Sequence, residues 1–143
     1  MLSAVFATLV AATAIAVHAQ SGVANCDREY TVQENDFCDK ISAAQNVSTF
    51  QLAEVNKAVI DPLCDNLHEG EVICLGVEGQ DCTTVHVIAE GEFCFEIAGN
   101  AGISLDTLLA NNPNVNSDCS NIGVGEVLCT ANVTIPYTPS TAA

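Results

Sequence analysis

Two kinds of hydrophobic spacing alternate along the chain and then recur. Tyr30-Thr31-Val32 and Val85-His86-Val87-Ile88 are short β-branched or aromatic stretches, and each predicts a strand. Turn-forming residues follow both, Glu34-Asn35-Asp36 and Glu90-Gly91-Glu92. Phe37, Ile41 and Ala44 then fall at helical spacing, as do Phe93, Ile97 and Ala101, which predicts a helix with one apolar face. Asp36 is placed to cap that helix through its carboxylate, and Glu92 is a poorer cap. Gln45-Asn46 and Asn100-Ala101-Gly102 supply residues suited to a left-handed helix end. Ser48 opens a second helix with Gln51 spaced for a capping box, and Ser104 with Thr107 is the weaker equivalent. Leu52 and Val55, or Leu105, Leu108 and Leu109, give the second helix its apolar face, and Pro113 stops the later one at Asn112. A polar loop leads to Gly70-Glu71-Val72-Ile73-Cys74 and to Gly125-Glu126-Val127-Leu128-Cys129, which predict a returning strand. Each half reads strand, helix, helix, strand, so the expected fold class is α+β, two tandem βααβ modules.

The eight cysteines confirm a duplication. Cys26, Cys38, Cys64 and Cys74 are spaced 12, 26 and 10, and Cys82, Cys94, Cys119 and Cys129 are spaced 12, 25 and 10. A shift of 56 aligns Glu34, Phe37, Ile41, Ser48, Leu52 and Asn56 with Glu90, Phe93, Ile97, Ser104, Leu108 and Asn112. After one deletion a shift of 55 aligns Asn66, Gly70, Glu71 and Val72 with Asn121, Gly125, Glu126 and Val127. The boundaries implied are a first module over 26–75, a join over 76–81, a second module over 82–130 and a flexible Pro- and Thr-rich tail over 131–143.

Leu2 to Val17 is apolar without a charged side chain, and small residues around His18-Ala19 suit cleavage, so residues 1–19 are expected to be a secretory signal peptide. The run is too short for the ~20 residues of a membrane span. An even cysteine count in an exported chain points to disulfides rather than metal. There is no Cys-x-x-Cys, and His68 and His86 lack ligand spacing, so neither a metal nor any other cofactor is expected. Units of this size bury too little surface to be comfortably stable without such staples. Four cysteines allow three pairings per module. If the outer strands are antiparallel neighbours, Cys26 pairs with Cys74 and Cys82 with Cys129, leaving Cys38 with Cys64 and Cys94 with Cys119.

The formal net charge is −15, and Arg28, Lys40 and Lys57 are the only basic side chains besides histidine. Polyphosphates and anionic membranes need clustered Lys and Arg to displace counterions, so nucleic acid and membrane are not expected partners and a neutral ligand is.

The ordered set Tyr30-Thr31-Val32, Asn35-Asp36-Phe37-Cys38, Ile41-Ser42-Ala43, Val47-Ser48, Leu52, Asn56, Asn66-Leu67 and Gly70-Glu71-Val72-Ile73 resembles the LysM module in its cysteine-bearing fungal form. The second copy is closer, with Gly91-Glu92-Phe93-Cys94, Ile97-Ala98, Gly102-Ile103-Ser104, Leu108-Leu109 and Asn112-Pro113. The resemblance implies binding of chitin or chitin oligomers, β-1,4-linked N-acetylglucosamine chains, in a groove between the strand-to-helix and helix-to-strand loops. By position, Glu34, Asn35, Asp36 and Phe37 would face Ala58, Val59, Ile60 and Asp61, and Glu90, Gly91, Glu92 and Phe93 would face Asn114, Val115 and Asn116. Backbone groups would read the acetamide, and Val59, Ile60 and Val115 would wall its methyl.

The family's Gly-Asp-Thr/Ser turn lacks its hydroxyl in both copies, and the first copy has Asn56-Lys57 in place of Asn-Pro. With no Trp and two Tyr, binding is expected to rest on loop hydrogen bonds rather than aromatic stacking. The short join would let one sugar chain engage both modules or bridge two molecules as a ligand-bridged dimer. Asn46-Val47-Ser48 and Asn132-Val133-Thr134 are glycosylation acceptors in an exported chain. A paired-acid glycosidase built on Glu90 and Glu92 is disfavoured, because carboxylates two apart on a loop are solvated and the modules are too small to enclose a substrate. The chain is thus expected not to be an enzyme but a secreted, effector-type binding protein that sequesters chitin fragments or shields a fungal wall. The alternative is a cysteine-rich structural or inhibitor protein that has lost carbohydrate binding.

Overall fold

The computed structural model describes residues 19–137. The expected signal peptide, apart from its last residue, and the tail from 138 onward lie outside the described residues. Strand β1 spans Cys26–Thr31, helix α1 Cys38–Gln45, helix α2 Thr49–Val55 and strand β2 Val72–Val77. Strand β3 spans Val85–Val87, helix α3 Cys94–Ala101, helix α4 Leu105–Asn111 and strand β4 Val127–Cys129. β1 pairs antiparallel with β2 and β3 with β4, giving two separate two-stranded sheets. The α+β, doubly βααβ architecture expected from the sequence is present.

A two-stranded sheet is marginal alone, and here each is covered by its helix pair. The first core gathers Val32, Ile41, Val47, Leu52, Ile60, Ile73 and Leu75, and the second Ile88, Ile97, Ala98, Leu108, Val115 and Leu128. Four disulfides close the modules: Cys26–Cys74, Cys38–Cys64, Cys82–Cys129 and Cys94–Cys119. In each module one bridge ties the start of the first strand, or the segment just before it at Cys82, to the returning strand. The other ties the first turn of the first helix to the helix-to-strand loop.

Helix boundaries follow local chemistry with one correction. Asn46 and Gly102 end α1 and α3 in left-handed conformation, with φ of 51° and 70°. Ser48 Oγ accepts from Gln51 N at 3.1 Å, and Ser104 Oγ from Thr107 N at 3.0 Å. Asp36, however, does not cap α1. The capping position is Phe37, without a side-chain bond, and Phe93 occupies it in α3. Phe37, Ala44, Phe93 and Ala101 lie outside the cores, and the buried positions are Cys38, Ile41 and Ser42, or Cys94, Ile97 and Ala98. The disulfide explains the offset: it draws the cysteine inward, so the buried stripe starts one residue later than the sequence pattern implied. Leu105 is likewise exposed, leaving Leu108 as the buried residue of α4 together with Asn111.

The join is not a free linker. β2 continues through Gly76 and Val77, and the Asp81 carboxylate receives Arg28 Nε at 2.6 Å and Nη2 at 2.7 Å. Arg28 Nη1 also donates to Gln45 O at 2.7 Å, capping the end of α1. Buried Gln51 completes the knot: Nε2 donates to Leu75 O and to Asp81 Oδ1, and Oε1 accepts from Cys82 N. Its side chain is therefore spent on the join rather than on the second half of a capping box. A Cβ on Gly76 would overlap the Asp81 carboxylate, so glycine is required there.

The modules touch directly as well. Thr49 Oγ1 donates to Asp39 Oδ1 at 2.8 Å and accepts from Val127 N at 3.0 Å, linking α1 and α2 to β4. Residues 131–137, expected to be loose, are held across both modules. Asn111 Nδ2 donates to Ala131 O and Val133 O, and its Oδ1 accepts from Ile135 N at 2.7 Å. Tyr137 then packs edge-on against Phe50, with ring centroids 5.1 Å apart.

Candidate functional site

Each module presents two loops stapled to one another, between its first strand and first helix and between its second helix and returning strand. The first turn needs a residue with positive φ, supplied by Asn35 at 62° in one module and Gly91 at 82° in the other. An acid then organises the turn from within. Asp36 Oδ2 accepts from Tyr30 Oη at 2.7 Å and Gln33 N at 2.9 Å. Glu92 Oε2 meets His86 Nε2 at 2.7 Å and accepts from Ala89 N at 2.7 Å. The longer Glu92 reaches the same register positions because His86 stands where the first module has Tyr30.

These contacts set the protonation state. The Tyr30 hydroxyl, then the Gln33 amide, holds the Asp36 carboxyl below the usual carboxylate range, and Lys40 adds an ion pair at 3.0 Å. The Ala89 amide, then His86, does the same for Glu92. Both acids are fixed acceptors in the charged form.

The second loop is built on asparagine. Asn66 Oδ1 accepts from Asp61 N, and its Nδ2 donates to Val59 O. Asn121 repeats this with Asn116 N and Asn114 O. The one-residue deletion therefore lies between the end of the second helix and this loop, with Val59, Ile60 and Asp61 equivalent to Asn114, Val115 and Asn116. Asp61 also accepts from Leu63 N, and its neighbour Asp65, hydrogen-bonded to it, has its carboxyl raised.

The expected site residues divide by exposure. Glu34, Asn35, Glu90, Gly91, Asn114 and Asn116 face solvent, and Asp36, Asp61 and Glu92 are half-buried in the bonds just described. Ile60 and Val115 are 4% and 7% exposed and pack in the two cores, leaving little of either side chain to wall an acetamide methyl. The apolar side chains left open on or beside the loops include Val59, Leu63, Val124, Phe37 and Phe93. Phe95, on the outer side of the first turn of α3, joins them. Sequence periodicity missed Phe95 because it falls off the apolar stripe of its helix. An aromatic residue at a position that should be polar was the signal available.

Among the described residues no group of three or more His, Cys, Asp or Glu side chains could hold a metal ion, and no helix is long and apolar enough to cross a membrane. A depression of about 200 Å³ lies between α2 and the second loop of the first module, lined by Phe50, Ala53, Lys57 and Pro62 among others. It is smaller than the roughly 300–1,000 Å³ typical of small-molecule pockets.

Two stapled βααβ units with paired loops define a tandem repeat of one small module. The LysM domain profile matches residues 30–76 and 86–130, and the chain belongs to the LysM domain family. It is similar to a secreted LysM effector of Pochonia chlamydosporia (strain 123), 31% identical over 106 residues, which cover 73% of this chain and 15% of that protein. The secreted LysM effector LysM1 of Trichophyton rubrum is 30% identical over 134 residues, covering 77% and 53% respectively. The non-secreted LysM effector LCP1 of Gibberella moniliformis is 30% identical over 110 residues, covering 76% and 14%. The chain thus spans about half or less of the length of these relatives.

Proposed function

We propose that the protein is a secreted, non-catalytic binder of chitin-type N-acetylglucosamine chains, and that the two paired loops of each module hold the sugar. The observation that carries this is the repetition of one loop framework in both halves: a positive-φ turn, a charged acid accepting from the strand and the turn, and an asparagine clamp opposite. Such a framework would hold a firm rim of exposed residues, whose backbone groups would supply the donor and acceptor that an acetamide needs. Glu34, Asn35, Phe37 and Val59 form the rim in the first module, and Glu90, Gly91, Phe93, Asn114 and Asn116 in the second.

Binding rather than catalysis fits the acids. Asp36 and Glu92 are committed as charged acceptors, whereas a glycosidase needs one carboxyl kept protonated as acid beside a second acting as base or nucleophile. Asp61 and Asp65 share one exposed loop, without a cleft that would exclude water. A net charge of −15 favours a neutral polymer over the peptide-bearing glycan of bacterial walls. Four disulfides suit an oxidising, extracellular setting, and two relatives carry the description of secreted effector. Asn46 and Asn132 are both exposed and would accept N-glycans there.

In that setting the protein would sequester chitin fragments or coat a fungal wall, with one sugar chain bridging two molecules where it outreaches a single groove. Calorimetric titration of the oxidised protein with a chitin hexamer, against a cellulose hexamer as control, tests the reading. Heat from the first alone is expected. Silence from both, together with no retention on chitin beads, would hand the lead to a cysteine-rich structural or inhibitor protein on a retained LysM scaffold.

A further inference from the structure

Beside the rim the two modules differ in aromatic content, a difference that nothing in their shared framework requires. Phe93 and Phe95 stand with nearly parallel rings, centroids 6.3 Å apart and planes at 18°. They are 57% and 65% exposed, two neighbouring aromatic side chains left open to water on one helix start. Such contiguous apolar surface commonly marks a binding site.

The backbone that carries the pair is anchored. Phe93 occupies the capping position of α3, its carbonyl accepts from Ile97 N at 3.0 Å, and Phe95 lies in the first helical turn. Cys94, between them, is bonded to Cys119 of the opposite loop and donates its amide to Cys119 Sγ at 3.1 Å. The backbone carrying the rings is therefore tied to the second loop, and Phe93 belongs at once to this pair and to the rim.

The first module has half of this arrangement. Phe37 matches Phe93 and is similarly exposed, but Asp39 takes the place of Phe95 and is bound to Thr49 at the contact between modules.

We propose that Phe93 and Phe95 form a stacking platform for the apolar C–H face of an N-acetylglucosamine unit, lengthening the second module's groove by a contact that the first module lacks. The inference rests on the chitin reading above and identifies the half that contributes more to it. The strong negative charge opposes an anionic membrane, whereas a neutral pyranose offers a flat apolar face that the exposed side of an aromatic ring complements.

The chain contains no Trp, so Phe95→Trp creates a single reporter. Chitin hexamer is expected to shift and change its emission, with cellulose hexamer giving no change. In calorimetry Phe95→Ala is expected to weaken chitin affinity about threefold to tenfold at an unaltered melting temperature, as suits an exposed aromatic contact. Phe95→Trp should retain affinity. If the unaltered protein binds chitin but Phe95→Ala binds equally well, or the tryptophan emission stays still during binding, the platform is wrong and the chitin reading stands. If Phe95→Ala fails to fold, the tryptophan variant alone decides. If the unaltered protein binds no chitin, both inferences fall together.

Discussion

Asn56 and Asn112 make the same three hydrogen bonds in the two halves of the chain. Asn56 Nδ2 donates to Leu52 O at 2.8 Å and Cys74 O at 2.6 Å, and Oδ1 accepts from Cys74 N at 2.8 Å. Asn112 does the same with Leu108 O, Cys129 O and Cys129 N, each at 2.8 Å. Both side chains are fully buried at the end of the second helix. The amide acts as a two-faced clamp between helix and returning strand, which no residue without both donor and acceptor can be.

Asn56→Ala and Asn112→Ala should each cost about 2–4 kcal/mol, because each leaves strand groups buried and unpaired. Denaturant unfolding checks this, and Asn→Asp at either site should rescue little, since a carboxylate cannot donate to the strand carbonyl.

Asp81→Ala should cost about 1–3 kcal/mol, because the bidentate Arg28 contact and the Gln51 contact vanish together. The same change should expose Gly79-Gln80 to proteases while leaving both cores intact. A double-mutant cycle of Asp81→Ala with Arg28→Ala reads the coupling directly, and strict additivity would contradict the knot.

Asp36 and Glu92 make stability fall in acid. Both carboxyls are lowered in the folded protein, so the unfolded chain takes up protons first as pH drops through the ordinary carboxylate range, near 4. Their contribution is complete above that range and is lost as pH falls through the folded values. Melting temperature measured from pH 6 to pH 2 should decline, and Asp36→Asn with Glu92→Gln should flatten the decline.

Tyrosine governs the opposite end. Burial pushes the Tyr137 phenol up to about 12, and the Asp36 carboxylate raises Tyr30 above its ordinary value. The folded state therefore keeps protons that the unfolded state releases near 10, and stability is lost as pH rises from there. Phenolate absorbance should lag a free-tyrosine titration, and Tyr137→Phe should move the later part of the curve.

Much of this fold was legible in the sequence because duplication doubles every weak signal. The positive-φ ends at Asn46 and Gly102, the caps at Ser48 and Ser104, and the conditional disulfide pairing all follow from local chemistry or strand adjacency. What escaped was set by contacts distant along the chain. Asp36 has a good capping side chain, but Tyr30 and the Gln33 amide claim it first. Ile60 and Val115 resemble loop residues by position, yet their modules need them as core. The grip of Arg28 on Asp81, and of Asn111 on residues 131–135, joins segments whose polar composition alone suggests freedom. The face holding Phe95 was invisible because periodicity reports what is buried, and that ring is not.

The Thr49 hydroxyl, bonded to Val127 N, gives the tandem a direction. Its counterpart in the second module is Leu105, which has no hydroxyl to offer a strand amide. A third repeat appended in series would find no matching seat there. The seam between the halves is thus one-way: the first half's helix start accepts a bond from the second half's strand, and Leu105→Thr would give the second half the same acceptor.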